Sequence, residues 1–404
     1  MDCMDLTCYN SRLEINLSRI QQNIQKIESY CGLPLMPVIK SNAYGFGTAA
    51  LARFLTQDCG IKLLAVARVF EACQILNAGC RDAALFILGP VPAPSIPLVV
   101  AHDLQMPLFR ESDTYLLSEE ASRQGKERVR VHLKLETGMN RIGVKPGAEL
   151  NALLRCAKKL KNLEIVGVFT HFATADQANK GAGNPFTKEQ FARFLDGLQQ
   201  VRAAGISPQY IHCCNTGATT WLKEAYEVCT HVRAGSLFLG YPSIQDNWNP
   251  ISVEESGSWK TCIVHIKNIQ PGESVGYGRS FKPSRPTKIA VIGIGYGDGY
   301  LRSFAMRGAP ALVHGVRCPF VSICMDMGFL DVTDIDCQVG DEVTLFGTDE
   351  AGNALPGLEI GHLMGETRLA MFSHITERVV RTYSTNNGQQ FMTEKDFLKS
   401  GGRQ

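Results

Sequence analysis

The chain has 404 residues, of which 45% are hydrophobic and 20% are charged, and its formal net charge is only +2. This composition is typical of a soluble globular protein, and the length is enough for two domains and a large core. Without a dense lysine or arginine run, we expect neither a nucleic-acid nor a membrane-surface partner. No apolar stretch is long enough to span a bilayer, and the polar N-terminal stretch, Met1–Asn10, does not resemble a signal peptide. We therefore expect a cytoplasmic protein.

The cysteine count is high, at 14, but the spacing forms neither a CxxC pair nor a zinc pattern. Several cysteines lie in apolar stretches, among them Cys73, Cys213, Cys214 and Cys262. We therefore expect buried, reduced thiols in a reducing compartment and no metal site.

As far as about residue 240, short apolar runs alternate with amphipathic stretches such as Leu17–Ile27. A later helix is predicted to begin at Thr187, with Gln190 completing a capping box. We predict an α/β fold, a (β/α)8 TIM-type barrel over residues 12–245. A doubly wound open sheet is the alternative, although no GxGxxG follows the first strand. The predicted strands are Leu35–Lys40, Leu63–Ala67, Ala84–Gly89, Met106–Phe109, Val129–Leu135, Ile165–Phe172, Tyr210–Cys214 and His231–Gly235.

Beyond about residue 245 the helical periodicity largely disappears, and alternating runs separated by Gly, Pro and Asp take over. This pattern predicts a mainly β C-terminal domain over residues 246–390, and we expect the N-terminal segment 1–11 to pack with it. The predicted strands are Thr261–Ile266, Lys288–Ile292, Ala311–His314, Phe320–Ile323, Gly328–Val332 and Glu342–Phe346.

Lys40 ends the first predicted strand, and a polar turn that contains glycine follows it, Ser41–Gly47. A lysine at the end of a barrel strand lies where catalytic groups collect, and its amine can bond to an aldehyde cofactor. Taken alone, a lysine that caps a strand and reaches solvent is the simpler interpretation. Other predicted strands also run into polar loops, however, at Glu136–Arg141, His171–Ala173 and Asn215–Gly217. Polar groups are thus expected to gather at one end of the barrel.

The loops after the seventh and eighth predicted strands favour an anion site. Thr216 offers a hydroxyl donor, and Gly217, Gly235 and Ser236 offer backbone N–H groups that can approach a phosphate closely. Ordinary turn chemistry explains these residues equally well when they are considered by themselves. Combined with a lysine at a strand end, they point to pyridoxal phosphate.

At this point the sequence resembles the alanine racemases, which combine a barrel with a β domain. The matching segments run in family order from about residue 12 to residue 381, and their combination is specific although each one is short. They are Val38–Gly47 (VIKSNAYGFG), Leu133–Val144 (LKLETGMNRIGV), Thr170–Asp176 (THFATAD), Asn215–Thr216, Arg233–Gly235, Val275–Gly278 (VGYG), Gly295–Tyr300 (GYGDGY) and Cys324–Asp326 (CMD).

The resemblance implies roles for individual residues. Lys40 would carry pyridoxal phosphate and serve as one of two bases, and Tyr277, supplied by the β domain of a partner subunit, would be the second. Two bases on opposite faces let a proton leave one face of the substrate and return to the other. The resemblance therefore also implies a homodimer. The other residues implied to bind the cofactor are Tyr44, Thr216, Gly235 and Ser236 at the phosphate, Arg233 at the pyridine nitrogen, His171 beside the ring, and Asn215.

The same resemblance implies a small amino-acid substrate. Its carboxylate would be held by Arg141 and by the backbone of Met325, while Tyr296 would line the entrance with Asp326 nearby. Lys134 matches a position that is carbamylated in some family members, where it supports the arginine.

Two positions depart from the family pattern. Phe46 stands where relatives commonly have histidine, and we expect little effect. Glu377 stands where some alanine racemases have a tyrosine near the substrate methyl group and the phosphate, which leaves the substrate range open. The expected function is L/D-alanine racemisation supplying D-alanine for peptidoglycan, and a serine or broader-specificity racemase is the near alternative. A non-catalytic cofactor-binding barrel and a related decarboxylase fit the VGYG and CMD motifs less well.

Overall fold

The computed structural model describes residues 10–242, 248–364, 368–385 and 392–400. They fall into two compact units. The barrel unit comprises residues 21–43 and 51–253, and the β unit comprises the residues up to 20, residues 44–50 and the residues from 254 onward. Compared with the predicted domains, the strand Ser11–Asn16 and the turn after Lys40 group with the C-terminal part of the chain. Residues 1–9 of the predicted N-terminal segment lie outside the described residues.

In the barrel unit, parallel strands alternate with helices along the chain, as expected for an α/β protein. Strands β2 and β3 pair with each other, and β4 to β7 form a four-stranded sheet in sequence order. Their apolar side chains are buried, and Met36, Val38 and Phe86 belong to one core cluster. After β1 (Ser11–Asn16), which belongs to the β unit, the strands are β2 (Leu63–Val66), β3 (Ala84–Ile87), β4 (Met106–Leu108), β5 (Val129–Lys134), β6 (Leu163–Phe169) and β7 (Tyr210–His212).

Backbone hydrogen bonds close these strands into a ring. The first predicted strand, Leu35–Lys40, and the last, His231–Gly235, are not regular strands, but they pair through single bridges. Met36 N donates to Val232 O at 2.8 Å, and Ile39 N donates to Ala65 O at 2.9 Å. Similar bonds link β3 to β4 and β7 to the last segment. The eight-membered barrel is therefore confirmed, and the open-sheet alternative is wrong.

The long helix α8 begins earlier than predicted. Its N-cap is Asn184, whose side chain accepts a hydrogen bond from Phe186 N at 2.9 Å, whereas Thr187 lies inside the first turn and bonds to Thr174. Asn184 precedes a proline, and that pair is itself a strong start signal. The helices up to this part of the chain are α1 (Leu17–Cys31), α2 (Lys40–Tyr44), α3 (Thr48–Gln57), α4 (Val69–Asn77), α5 (Ile96–Ala101), α6 (Glu111–Arg123), α7 (Ala148–Ala157), α8 (Pro185–Ala203) and α9 (Ala218–Trp221).

The β unit is a mainly antiparallel sheet, and all six strands predicted for it are present. Six strands close on themselves in the order β8-β13-β10-β11-β12-β9, since β13 pairs with both β10 and β8. β1 pairs with β8 and, in parallel, with β15. The strands are β8 (Gly257–Ile269), β9 (Thr287–Ile292), β10 (Pro310–Val313), β11 (Val316–Ile323), β12 (Gly328–Asp331), β13 (Glu342–Thr348), β14 (Ala354–Leu355), β15 (Val380–Ser384) and β16 (Met392–Thr393).

Among the described residues, four further helices follow β9. None of the helices in the described part of the chain is long and apolar enough to cross a membrane. The four are α10 (Arg302–Met306), α11 (Gly357–Met364), α12 (Arg368–Ser373) and α13 (Glu394–Ser400).

Candidate active site

Lys40 begins a left-handed turn at the mouth of the barrel unit. Ser41, Asn42 and Ala43 have φ of 53°, 53° and 50°, a conformation that residues with a Cβ adopt rarely. The carboxylate of Glu71 holds this turn, because it accepts a hydrogen bond from Ser41 N at 2.6 Å. It also accepts from the backbone N–H groups of residues 67 and 68, at 2.7 and 3.0 Å. Sequence reasoning missed Glu71, which lies 31 residues beyond Lys40.

The surroundings of Lys40 favour its neutral amine. Burial lowers the pKa of Lys40, and the nearby cations Arg141 and Arg233 lower it further, while the charge of Glu71 acts in the opposite direction. A neutral amine is the form that attacks an aldehyde or accepts a proton. Lys40 therefore lies at the mouth of the barrel unit, as the strand-end argument expected, with its pKa shifted towards the neutral amine.

Arg233 is almost completely buried, and its hydrogen bonds use both terminal nitrogens of the guanidinium group. Nη1 donates to Nδ1 of His212 at 2.7 Å and to the His212 carbonyl at 3.1 Å. Nη2 donates to Thr170 O at 2.8 Å and to Nδ1 of His171 at 3.2 Å. None of these bonds uses Nε–H, which is therefore the donor that a ligand could engage.

A buried chain of hydrogen bonds extends from Arg233 across the barrel. His212 Nε2 lies 3.0 Å from His132 Nδ1, and His132 Nε2 lies 2.7 Å from Gln105 Oε1. All three side chains are fully buried, and the His132 ring stacks on Phe86 at 4.0 Å. We call Gln105, His132, His212 and Arg233 the arginine relay. It was not predicted from the sequence.

Arg233 sets the direction of every proton in the arginine relay. Arginine can only donate, so His212 Nδ1 must accept, and the His212 proton lies on Nε2. His132 then accepts at Nδ1 and donates from Nε2, which requires the oxygen of Gln105 and not its amide nitrogen. Burial lowers the pKa of His132 to about 3 and that of His212 well below 6.5. Both histidines are therefore neutral at physiological pH.

Three charged residues on and after β5, Lys134, Glu136 and Arg141, lie near the arginine relay, as does His171. Burial lowers the pKa of Lys134 to about 7, and its amine donates to Leu135 O at 2.8 Å. The carboxylate of Glu136 accepts from Gly138 N at 2.6 Å, and this fixes the loop that carries the exposed Arg141. The pKa of His171 is lowered well below its usual value by burial and by Arg233, so this histidine is neutral.

The predicted phosphate loops lie side by side in the barrel unit. Gly235 N donates to Thr216 Oγ1 at 3.1 Å, which leaves the hydroxyl proton of Thr216 for another acceptor. Ser236 Oγ is buried and has no hydrogen-bond partner among the described residues. Asn215 has a structural role, because its Oδ1 accepts from Ala218 N at 3.1 Å at the start of α9. Ser236 and Thr216 are thus the side chains that can bind an anion.

Tyr44 and the turn that follows it belong to the β unit. Gly45 O accepts a hydrogen bond from Arg381 Nε at 2.9 Å, and Phe46 O accepts from Tyr383 Oη at 2.8 Å. Phe46 is fully buried, in line with the expectation that this departure from the family's histidine has little effect on the site. Strand β15 therefore anchors the turn that presents Tyr44.

Tyr277 lies in a tight loop of the β unit, and 75% of its side chain is exposed. The loop is closed by a bridge between Val275 and Phe281, and Gly276 adopts a φ of 78° where a Cβ would collide with Ser322. A large aromatic side chain held out by a rigid loop is typical of a group that another surface covers.

The remaining predicted substrate residues lie together at one edge of the β unit. Tyr296 N donates to Cys324 O at 3.1 Å, next to Met325. Arg378 binds Asp326 at 2.7 Å and Asp298 at 3.2 Å, which ties this loop to the segment after α12. Tyr296, Met325 and Asp326 are all exposed, and so is Glu377.

Family comparisons agree with this geometry. The model of the alanine racemase N-terminal domain matches residues 15–243, and that of the C-terminal domain matches residues 257–383. The chain belongs to the alanine racemase family. The alanine racemase of Clostridium tetani (strain Massachusetts / E88) is 34% identical over 92% of this chain and 94% of its own length. Alanine racemase 2 of Caldanaerobacter subterraneus subsp. tengcongensis is 35% identical over 96% of this chain and 98% of its own.

Solved structures of the alanine racemase family have the same fold. The alanine racemase of Clostridium difficile 630 superimposes with a TM-score of 0.85 and 28% identity, covering 95% of this chain and 98% of that one. The Bacillus anthracis alanine racemase with bound L-Ala-P gives a TM-score of 0.87 and 26% identity, covering 96% and 98%. The predicted family and the predicted fold are therefore confirmed.

Proposed function

We propose that this alanine racemase family member interconverts L- and D-alanine with pyridoxal phosphate, using Lys40 as one base and Tyr277 of the partner subunit as the other. Racemisation of alanine is the activity for which its relatives, at about a third identity over most of the chain, are named. The observation that carries the residue assignment is a partly buried Lys40, with a pKa lowered by burial and nearby cations, in the same unit as Arg233 and the anion site formed by Thr216 and Ser236.

The residues of the barrel unit fit pyridoxal phosphate. The unpaired, buried Ser236 Oγ and the free hydroxyl proton of Thr216 suit a phosphate group. The Nε–H of Arg233 suits an unprotonated pyridine nitrogen, because arginine does not give up its proton. When bound, the cofactor would supply the electron sink that acidifies the α-carbon of the substrate. Tyr44 and the backbone of Gly235 complete the proposed phosphate site.

The chain's own groups would position the substrate and move the proton. Arg141 and the backbone of Met325 would bind the substrate carboxylate, and Tyr296 with Asp326 would line the entrance. The Lys40 amine would take or return the α-proton on one face, and Tyr277 of the partner subunit would act on the other. His171, neutral and hydrogen-bonded to Arg233, would lie beside the cofactor ring and help to orient it.

Lys134 is a candidate for carbamylation. A pKa of about 7 makes a large share of its amine neutral at physiological pH, and only the neutral amine reacts with carbon dioxide. The carbamate would carry a negative charge, and the nearby cation Arg141 would stabilise it. Intact mass measured in bicarbonate and in carbon dioxide-free buffer tests this assignment.

A homodimer follows from the proposed role of Tyr277. Tyr277 and Met325 are 75% and 53% exposed on the β unit, and large exposed apolar groups mark surfaces that bind another chain. If dilution to monomers leaves the full specific activity, this part of the proposal is refuted. We further place the enzyme in the cytoplasm, where reducing conditions would keep the free cysteines of the described residues reduced, and assign its D-alanine to peptidoglycan synthesis.

The decisive experiment is a chirality-resolved assay of the purified protein with L- and D-alanine. We expect interconversion in both directions, and loss of both activity and the cofactor's protein-bound absorbance in Lys40→Ala. Tyr277→Phe should bind the cofactor normally and lose racemisation, since it lacks only the second base. Serine, lysine and arginine serve as competing substrates. Faster turnover of serine than alanine would favour the broader-specificity alternative that Glu377 leaves open.

A further inference from the structure

Three cysteine thiols meet inside the barrel unit. Cys213 and Cys214 follow β7, and Cys229 lies in the turn before the last barrel segment. The Cys213 sulfur lies 3.4 Å from that of Cys229 and 4.0 Å from that of Cys214. All three sulfurs are within 4.8 Å of one another, and the residues are 0%, 0% and 5% exposed. We call these residues the thiol cluster.

The spacing of the thiol cluster is that of ligands around a single ion. Sulfur ligands at about 2.3 Å from one ion are roughly 3.8 Å apart in tetrahedral geometry, and the two observed distances lie on either side of that value. Buried cysteines usually pack one by one as small apolar groups. Here the sulfurs face one another instead, although Cys229 lies 15 residues after Cys214 in the chain.

The backbone holds the thiol cluster in this arrangement. Thr230 N donates to Ile211 O at 2.8 Å, and Arg233 N donates to Cys214 O at 2.8 Å. These two bonds tie the strand that carries two of the thiols to the segment that carries the third. The ligands are therefore preorganised, so little conformational entropy is lost when they bind an ion.

We propose that the thiol cluster is a binding site for a thiophilic, three-coordinate trivalent ion, for which arsenite is the probe. Neutral arsenous acid would exchange each of its three hydroxyl groups for one cysteine sulfur. Three As–O and three S–H bonds break, three As–S bonds form, and three water molecules leave. Arsenic stays in the +3 state throughout, so the step needs no oxidant or reductant.

Charge and coordination number favour this class of ion over zinc. The trivalent complex with three thiolates is neutral, so burying it avoids the cost of an uncompensated charge. A zinc complex with the same three ligands would carry a net negative charge, and zinc sites normally have four ligands. The described residues place only these three cysteines together.

Occupancy of the thiol cluster would reach the active site. Cys214 lies two residues before Thr216, and its carbonyl accepts from Arg233 N. Drawing the Cys213 and Cys214 sulfurs together from 4.0 Å would shift the backbone at Cys214 and the two residues that depend on it, so bound arsenic should inhibit racemisation. This consequence rests on the proposed function, whereas binding itself does not.

The test is retention of arsenic by the purified holoenzyme. After incubation with arsenite and desalting, we expect one arsenic per subunit and the loss of three titratable thiols in denaturant. Cys229→Ser should retain none, whereas the matched control Cys73→Ser, on helix α4, should bind like the wild type.

Several results would overturn the proposal. They are no retention by the native protein, retention only after unfolding, and retention that Cys229→Ser leaves unchanged. Tight zinc binding without arsenite binding would also overturn it. Cys214→Ala provides a second variant, and normal cofactor absorbance in it shows that the fold is intact. A protein that binds arsenic but does not racemise alanine would refute the proposed function and leave this site standing.

Discussion

Replacing His212 tests the arginine relay most directly. In His212→Phe the aromatic ring can keep its stacking on Phe169, whose centroid lies 5.1 Å away, while both ring nitrogens are lost. Arg233 Nη1 then loses its bond to Nδ1 but keeps its bond to the backbone carbonyl of residue 212. The perturbation therefore removes hydrogen bonds with little change in packing.

The magnitude follows from the two bonds. A hydrogen bond to a charged group contributes about 1.5–3 kcal/mol, and leaving the buried Nδ1 of His132 without a donor costs about 1–3 kcal/mol. We expect His212→Phe to lower the free energy of unfolding by roughly 3–5 kcal/mol. If Arg233 shifts away from the cofactor, a loss of about 1.4 kcal/mol there would weaken cofactor binding tenfold.

The matched variant is His212→Gln, which can accept from Arg233 with its oxygen and donate to His132 with its amide. Urea unfolding of the apoenzyme measures stability, and a cofactor titration measures affinity. His212→Gln should recover more than half of both losses, because it restores the direction of the protons. Equal behaviour of the two variants, or wild-type cofactor affinity in His212→Phe, would refute the relay as the device that positions Arg233.

Three further predictions concern residues around the two sites. Glu71→Gln should lower the free energy of unfolding by about 1–3 kcal/mol, because a backbone N–H donor loses its acceptor. The loss of the Glu71 charge should also lower the pKa of Lys40 further, which pH-dependent amine labelling of the apoenzyme measures. Unchanged labelling would contradict this prediction. The Lys134 amine has a pKa of about 7 in the folded protein and 10.5 in the unfolded chain, so the unfolded chain binds more protons between these pH values. In carbon dioxide-free buffer the free energy of unfolding should therefore rise across this range by up to about 1.4 kcal/mol per pH unit, and it should stay flat below pH 7. Lys134→Met should abolish that rise, and an identical pH profile in the variant would exclude the assignment. Arg378→Met breaks two half-exposed ion pairs, so it should change the free energy of unfolding by less than about 1 kcal/mol. Because Arg378 anchors the loop of Asp326, the variant should raise the KM for alanine and leave the cofactor affinity unchanged. An unaltered KM would show that this loop needs no anchor.

Much of the fold could be predicted from local patterns. Six of the eight barrel strands and all six predicted β-unit strands form, because apolar periodicity reports which faces are buried. The two segments at the closure, Leu35–Lys40 and His231–Gly235, pair through single bridges and not through regular ladders. The start of α8 was misplaced because two cap signals, Asn184 and Thr187, lie three residues apart.

The sequence by itself determined the family, through motifs that point to alanine racemases, and it predicted the chemistry of single residues such as a strand-end lysine and the anion-binding groups Thr216 and Ser236. Only the tertiary structure decided which distant residues support them. Glu71 holds the turn of Lys40 through backbone hydrogen bonds that no periodicity records. Gln105 and His132 appear as ordinary strand residues until the closed barrel brings strands from different parts of the chain into contact. Spacing along the chain indicates faces and turns, whereas proximity across a barrel depends on which strands pair, and that is settled by packing.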